Sequence, residues 1–242
     1  WTTPGVMGAG AAQTMINVNH VKPGQKVLMV GSGNVGLIVS YQLMQAGCDV
    51  VALVDAAPKI GGYAVHAAKI RRAGVPILLK HTVAKVEKDD SGCVCRAIVM
   101  EVDEHFQFIP GSEQTFDCDT VAIAVGLKPV TDLVKLSECQ LAYHSAFGGW
   151  VPLHNEKMES SVSGIYVAGD TTGVEEANTA LEEGKLAGIS AAESLGLLSP
   201  ESAARARSEI WTRLNALRTG PFGNLRRQEK LKLMEEGDAV CH

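Results

Sequence analysis

The stretch from Lys26 to Asp55, KVLMVGSGNVGLIVSYQLMQAGCDVVALVD, constrains the fold of this chain more than any other. Val27-Leu28-Met29-Val30 is an apolar run of strand length. Gly31-Ser32-Gly33-Asn34-Val35-Gly36 follows at once, and an amphipathic segment continues through Gln45. The pattern predicts strand, glycine turn, helix. Gly47 stands where a helix ends on a residue of positive φ, and Asp49 to Val54 predicts a second apolar strand that closes on an acid, Asp55. The glycines have separate duties. Gly31 allows the tight turn out of the strand, Gly33 lets backbone approach a pyrophosphate with no Cβ in the way, and Gly36 lets the helix lie close on the sheet. The free amides at the helix start, around Ser32, Asn34 and Val35, then face the phosphates.

Asp55 lies nineteen residues beyond Gly36, where a carboxylate accepts hydrogen bonds from the hydroxyls of an adenosine ribose and repels a 2′-phosphate. NAD(H) is therefore favoured over NADP(H), a preference that Lys59, Arg71 and Arg72 could soften. The alternative, an ordinary βαβ turn, leaves the acid at the strand end unexplained.

A chain of 242 residues holds one large or two modest domains. A net charge of −5 and only 5% aromatic residues argue against nucleic acid, an anionic membrane or a base-stacking surface as partner. No apolar run approaches the roughly 20 residues of a membrane helix, and Trp1-Thr2-Thr3-Pro4 has no signal-peptide features, so the expected compartment is the cytoplasm. None of the six cysteines forms a CxxC pair. Cys93 and Cys95 would share one face of a strand, suited to a metal or a strained disulfide; the alternative is two half-buried thiols in a reducing compartment. The seven histidines, from His20 to His242, show no ligand spacing, so neither a metal site nor a catalytic histidine is assigned.

Along the chain, Pro4 to Asn19 reads as a small-residue helix with no strand before it, the continuation of a missing N-terminal portion. Tyr63 to about Ala73 predicts a helix with Val65, Ala68 and Ile70 on one face, and Ile77-Leu78-Leu79 a third strand, completing βαβαβ. Val83 to Asp89, Cys93 to Asp103 and Phe106 to Ile109 alternate and break at turn residues, as an antiparallel meander does. Thr120 to Val125 returns as a buried strand and ends in Gly126-Leu127-Lys128-Pro129. Gly164-Ile-Tyr-Val-Ala predicts another short strand, ending in Gly169-Asp170, and Val174 to Gly196 a helix. Glu201 to Leu217 predicts a helix with Ala204, Ile210, Trp211 and Leu214 on its core face. After a turn over Thr219 to Gly223, Asn224 to Glu236 is charged and amphipathic. Its basic run, Arg226-Arg227 and Lys230-x-Lys232, suits either an acidic partner or a solvated face.

These motifs together resemble the NAD(P)-binding domain of the two-dinucleotide-binding flavoproteins, the pyridine nucleotide-disulfide oxidoreductase superfamily. The resemblance implies that Ala124, Val125 and Gly126 pass under the cofactor. It also implies that Asp170, after Gly169, accepts a hydrogen bond from a ribityl hydroxyl of FAD, and that the helix start near Glu176 and Ala177 faces the flavin pyrimidine. Gly169-Asp170 taken alone could equally be a strand-turn N-cap. Pro4 to Gln13 and Gly148-Gly149-Trp150-Val151-Pro152 look most like the flavoprotein subunits of opine oxidases, hydrogen cyanide synthase, dye-linked proline dehydrogenases and heterotetrameric sarcosine oxidase. The chain departs from the family in having no first FAD motif. The expectation is an α/β chain: residues 1–24 a linker helix from the FAD domain, 25–129 a Rossmann-like NAD(P) domain with a meander, 130–198 the C-terminal part of the FAD domain, and 199–242 a helical tail. The implied function is hydride transfer between nicotinamide and flavin in an amino-acid or opine oxidation system. The missing FAD half then comes from elsewhere in the protein or from a partner subunit. The alternatives are a dinucleotide-binding module and an interaction subunit without catalysis of its own.

Overall fold

The computed structural model describes residues 2–241; the readings made at Trp1 and His242 lie outside them. The chain divides into two compact units, Trp1–Gly126 and Leu127–His242.

The first unit begins with β1 (Val6–Gly8) and α1 (Ala9–Asn17), continues through β2 (Lys26–Val30), α2 (Asn34–Gln45), β3 (Asp49–Asp55), α3 (Ala64–Arg72) and β4 (Ile77–Leu79), and then forms β5 (His81–Lys88), β6 (Val94–Glu101), β7 (Gln114–Asp117) and β8 (Thr120–Ile123). Five strands make a parallel sheet in the order β1-β8-β2-β3-β4, and β5, β6 and β7 make a separate antiparallel meander. The apolar run of β2 is explained by the two cores it serves. Val27 and Met29 pack with Leu37, Val39 and Leu43 of α2 and Ala67 and Ile70 of α3. Leu28 and Val30 pack with Val94, Ala97 and Val99 of the meander. A strand covered on both faces has no use for polar alternation.

Several expectations are corrected here. A strand does precede the first helix: β1 joins the sheet edge beside β8, in register Val6 with Val121. In α3 the buried residues are Ala67 and Ile70, while Val65 is 60% exposed; five residues of helix put Val65 about 140° around from Ile70. The meander's third strand is Gln114–Asp117, not Phe106 to Ile109. The Asp103 carboxylate accepts the amides of His105 and Gln107 at 2.8 Å each and bends that segment outward, leaving a single bridge between Val102 and Phe108.

The second unit contains α4 (Asp132–Leu136), the hairpin β9 (Leu141–His144) and β10 (Gly149–Pro152), a 3-10 turn at Gly169–Thr172, and the helices α5 (Ala177–Ser194), α6 (Pro200–Leu217) and α7 (Gly220–Asp238). Gly164 lies in a turn with φ of +82°, and Ile165 to Ala168 joins no ladder; it holds one bridge, Tyr166 to Glu159. In α6 it is Ala203, not Ala204, that is buried with Ile210 and Leu214. Ser199 caps α6, its hydroxyl accepting the amide of Ser202 at 3.3 Å. The expected turn over Thr219 to Gly223 is instead the first turn of α7, where proline is tolerated because its missing N–H would have had no partner. A Cβ on Gly223 would fall 2.6 Å from the carbonyl carbon of Arg218, so only glycine lets α7 start so close to the end of α6.

Candidate functional site

At β2 the strand order reverses: β3 lies on one side and β8 on the other. A parallel sheet opens a ligand crevice at such a point, beyond the carboxyl ends of its strands. Three stretches meet there. Gly31 has φ of +108°, and its amide donates to the Val54 carbonyl at 2.7 Å. A Cβ on Gly31 would fall 2.3 Å from the Ala124 carbonyl oxygen, and one on Gly36 2.0 Å from the Gly31 oxygen. The glycine turn and the end of β8 are thus in contact at a distance that only missing side chains permit. Gly33 differs from both. A Cβ there would meet nothing within 4 Å, so the ground beside the start of α2 is open. No side chain caps α2 and no acid lies in its first turn, which leaves the helix start, with Asn34, Val35 and Gly36, to an anion. The residues fit a dinucleotide pyrophosphate. Val125 and Gly126 follow Ala124 exposed, Gly126 with φ of +137°.

Asp55 ends β3 with its carboxylate turned toward the glycine loop. Its Oδ2 accepts the Ser32 amide at 2.6 Å and the Ser32 hydroxyl at 2.5 Å, and its Oδ1 accepts the Ala57 amide at 2.8 Å. The loop after Asp55 closes over the same turn. Gly62 donates to the Ser32 carbonyl at 2.9 Å, and the Tyr63 amide to the Asn34 side chain at 2.8 Å. Gly61 and Gly62 are not among the site residues expected from sequence; their pairing soon after the acid is the signal that could have found them. Lys59, Arg71 and Arg72 are exposed.

In the second unit, Gly169 takes φ of +70° and Asp170 projects to the surface, its carboxylate without a partner among the described residues. Ala177 opens α5, which has no side-chain cap and no acid in its first turn. An unspent carboxylate beside a helix start whose N-cap side chain makes no capping bond, the Asn178 side chain taking only the Thr179 amide at 2.9 Å, fits the hydroxyls and electron-rich ring edge of a flavin. Beneath this turn lies a feature that the sequence pattern does not predict. Lys230, placed by sequence on a solvated face or toward a partner, is 2% exposed. It lies 3.0 Å from Glu183, whose carboxylate also meets Arg218 at 2.5 Å. Burial alone would raise the Glu183 carboxyl, but Lys230 and Arg218 outweigh it and hold it down to about 2. Burial, reinforced by Lys230, lowers the neighbouring His154 to about 4, so that ring is neutral. Nothing in the one-dimensional pattern ties Lys230 to a glutamate 47 positions earlier.

The β1–α1 junction supplies no second pyrophosphate cradle, because the helix begins at Ala9 directly after the strand, with no intervening loop. All six cysteines are free, and no cluster of residues suited to a metal occurs among the described residues. No described helix is long and apolar enough to cross a membrane.

A parallel sheet with a glycine turn and acid at its switch point defines a Rossmann-type dinucleotide-binding fold. Residues 4–184 match the family described as pyridine nucleotide-disulphide oxidoreductase, and the chain belongs to that family, whose cofactors are FAD and NAD(P). An opine oxidase subunit of Rhizobium meliloti is 28% identical over 208 residues, covering 82% of this chain and 39% of the relative. The alpha subunit of sarcosine oxidase from Corynebacterium sp. is 28% identical, covering 80% and 19%. The HcnB subunit of hydrogen cyanide synthase from Pseudomonas aeruginosa is 26% identical, covering 90% and 50%. The chain thus spans half or less of each of these relatives. Thioredoxin reductase of T. acidophilum shares the fold at 21% identity, with a TM-score of 0.61 over 79% of this chain and 58% of that one.

Proposed function

We propose that this chain is the nicotinamide-binding part, and one portion of the flavin-binding part, of an FAD- and NAD-dependent oxidoreductase acting in amino-acid or opine oxidation. The observation that carries the reading is the presence in one chain of two dinucleotide features, the Gly31–Gly36 cradle with Asp55 and the Gly169–Asp170 turn before α5. The substrate class rests on the names of the relatives, opine oxidase and sarcosine oxidase.

Bound nicotinamide and flavin carry their own reactivity, so hydride transfer between them needs no ionisable protein group. The chain's residues bind and orient. The start of α2 meets phosphate, Asp55 meets a ribose hydroxyl with the acceptor capacity that Ser32 and Ala57 leave it, and Gly126 frees the backbone beyond Ala124. Asp170 offers an acceptor to a ribityl hydroxyl, and the α5 dipole favours negative charge at Ala177. The partner in this reading is the other half of the flavin site, borne by a further segment or by another polypeptide. Leu133 and Leu136 of α4, 79% and 80% exposed, support it as apolar surface that a neighbour would cover. Six unpaired cysteines support a reducing, cytoplasmic location.

The test is a calorimetric titration of the purified chain with NADH and with NADPH, after an absorbance scan for flavin. NADH binding tighter than NADPH is expected, as is a flavin spectrum that bleaches on NADH addition once the other flavin half is supplied. A chain that binds neither nucleotide overturns the reading. Nucleotide binding with no flavin uptake under any pairing reduces it to a dinucleotide-binding module.

A further inference from the structure

The turn Gly169 to Glu175 has little apolar substance with which to hold itself. It contains glycines with φ of +70° and +120° at positions 169 and 173. Its polar groups are instead met by charged side chains from three helices. Glu183 of α5 accepts the Gly169 amide at 2.9 Å and the Thr172 hydroxyl at 3.0 Å. Lys230 of α7 donates to the Thr172 carbonyl at 2.9 Å and to its hydroxyl at 2.6 Å. Arg218, just past α6, joins Glu183 to Glu175 through Nη2, at 2.5 and 2.8 Å. Arg226 of α7 donates to the Val174 carbonyl. The Lys230, Glu183, Arg218 and Glu175 side chains are 2, 3, 4 and 8% exposed, and their charges cancel.

A buried ion network is a poor way to gain stability, since desolvation offsets most of the attraction, but it fixes geometry because every member has few alternatives. What it fixes here is the backbone between Asp170 and the start of α5. We propose that Lys230 and Arg218 are positioning residues for the flavin: through Glu183 and Glu175 they hold the turn in the form that presents Asp170 and the α5 N-terminus to the cofactor. This rests on the reading of Gly169-Asp170 as a flavin site. It assigns the C-terminal helices a part in cofactor binding through the turn that they hold.

The test compares the full chain with Lys230→Met, Lys230→Arg and Thr172→Val, and with Leu233→Ala as a control that loosens α7 through its fully buried apolar contact with Phe147, Val151 and Leu153. Two quantities are read: amide hydrogen exchange of the peptide spanning residues 169–176, and FAD affinity by flavin fluorescence. Lys230→Met is expected to speed exchange in that peptide and to raise the FAD Kd, each about tenfold or more, with NADH affinity unchanged. Lys230→Arg, which keeps the charge, recovers part of both. Leu233→Ala lowers the unfolding midpoint and, reaching the turn only through Phe147, whose ring packs on Gly173, moves both by less. If Lys230→Met does not fold, Thr172→Val carries the same test, because it removes the shared hydroxyl without stranding a charge. Exchange at 169–176 no faster than in Leu233→Ala overturns the proposal, as does faster exchange with an unchanged FAD Kd. The FAD affinities are read with the other flavin half supplied; a parent chain that takes up no FAD under any such pairing overturns the flavin reading itself, whereas the exchange result still decides whether the cluster holds the turn.

Discussion

Ser32 gives both its hydrogens to one oxygen of Asp55, the amide at 2.6 Å and the hydroxyl at 2.5 Å. The second residue of the glycine loop therefore aims the acid at the end of the next strand. With the Ala57 amide on the other oxygen, three of the roughly four acceptor positions of a carboxylate are taken, and the remaining one suits a single hydroxyl.

Asp55→Ala is accordingly expected to weaken NADH binding by about 1–2 kcal/mol through lost charge-assisted hydrogen bonds. Ser32→Ala removes the hydroxyl bond but leaves the amides of residues 32 and 57 on the carboxylate, so it should weaken NADH by less. Isothermal titration of both variants with both nucleotides checks this. Equal NADH affinity in parent and Asp55→Ala would remove Asp55 from the site.

Gly62 is expected to be intolerant of a side chain. A Cβ there would stand 2.9 Å from the Asn34 nitrogen and from the Gly33 carbonyl carbon, both backbone atoms that cannot swing aside. Gly62→Ala should cost about 1–3 kcal/mol of stability in the first unit and weaken NADH as the helix start shifts. Gly61→Ala, whose Cβ would lie 3.9 Å from Gly33, in ordinary contact, should leave stability within about 0.5 kcal/mol of the parent. Denaturant melts of the two variants decide it.

The second unit should be acid-labile in two windows. His154 falls from 6.5 to about 4 on folding, through burial and then Lys230. Below pH 6.5 the unfolded chain binds a proton that the folded chain refuses, so stability is lost as pH falls from 6.5 to 4, by about 3 kcal/mol at the lower end. Glu183 is held down to about 2 against an ordinary 4.5. Its contribution is present above pH 4.5 and is lost as pH falls toward 2. Unfolding followed by the fluorescence of Trp150 and Trp211, both in this unit, should show the first loss in the parent and not in His154→Leu. A pH-independent midpoint between 6.5 and 4 in the parent would contradict it.

The parts of the fold that can be read from sequence are those where local pattern and tertiary demand coincide. The run Lys26 to Asp55 carries its own turn glycine, its own helix stop and two strands buried on both faces, and β2, α2 and β3 follow it closely. The parts that mislead are those decided by distant residues. Phe106 to Ile109 has the apolar content of a strand, but Asp103 bends it outward and Gln114–Asp117 takes the place in the meander. Val65 groups with Ile70 by apolar character, although helical spacing separates them. The basic run of α7 looks solvated or partner-seeking because nothing near Lys230 in sequence announces the two buried acids, Glu183 and Glu175, that its side chain and that of Arg218 answer.

The match to the family ends at residue 184, one position beyond Glu183, yet the cations that balance Glu183 stand at 218 and 230. The stretch that the family model describes and the stretch that must be made together are therefore different lengths. A chain trimmed at that point would lose both counter-ions of Glu183 together with the helices that carry them, so any dissection or graft of this second unit has to carry α6 and α7 with it.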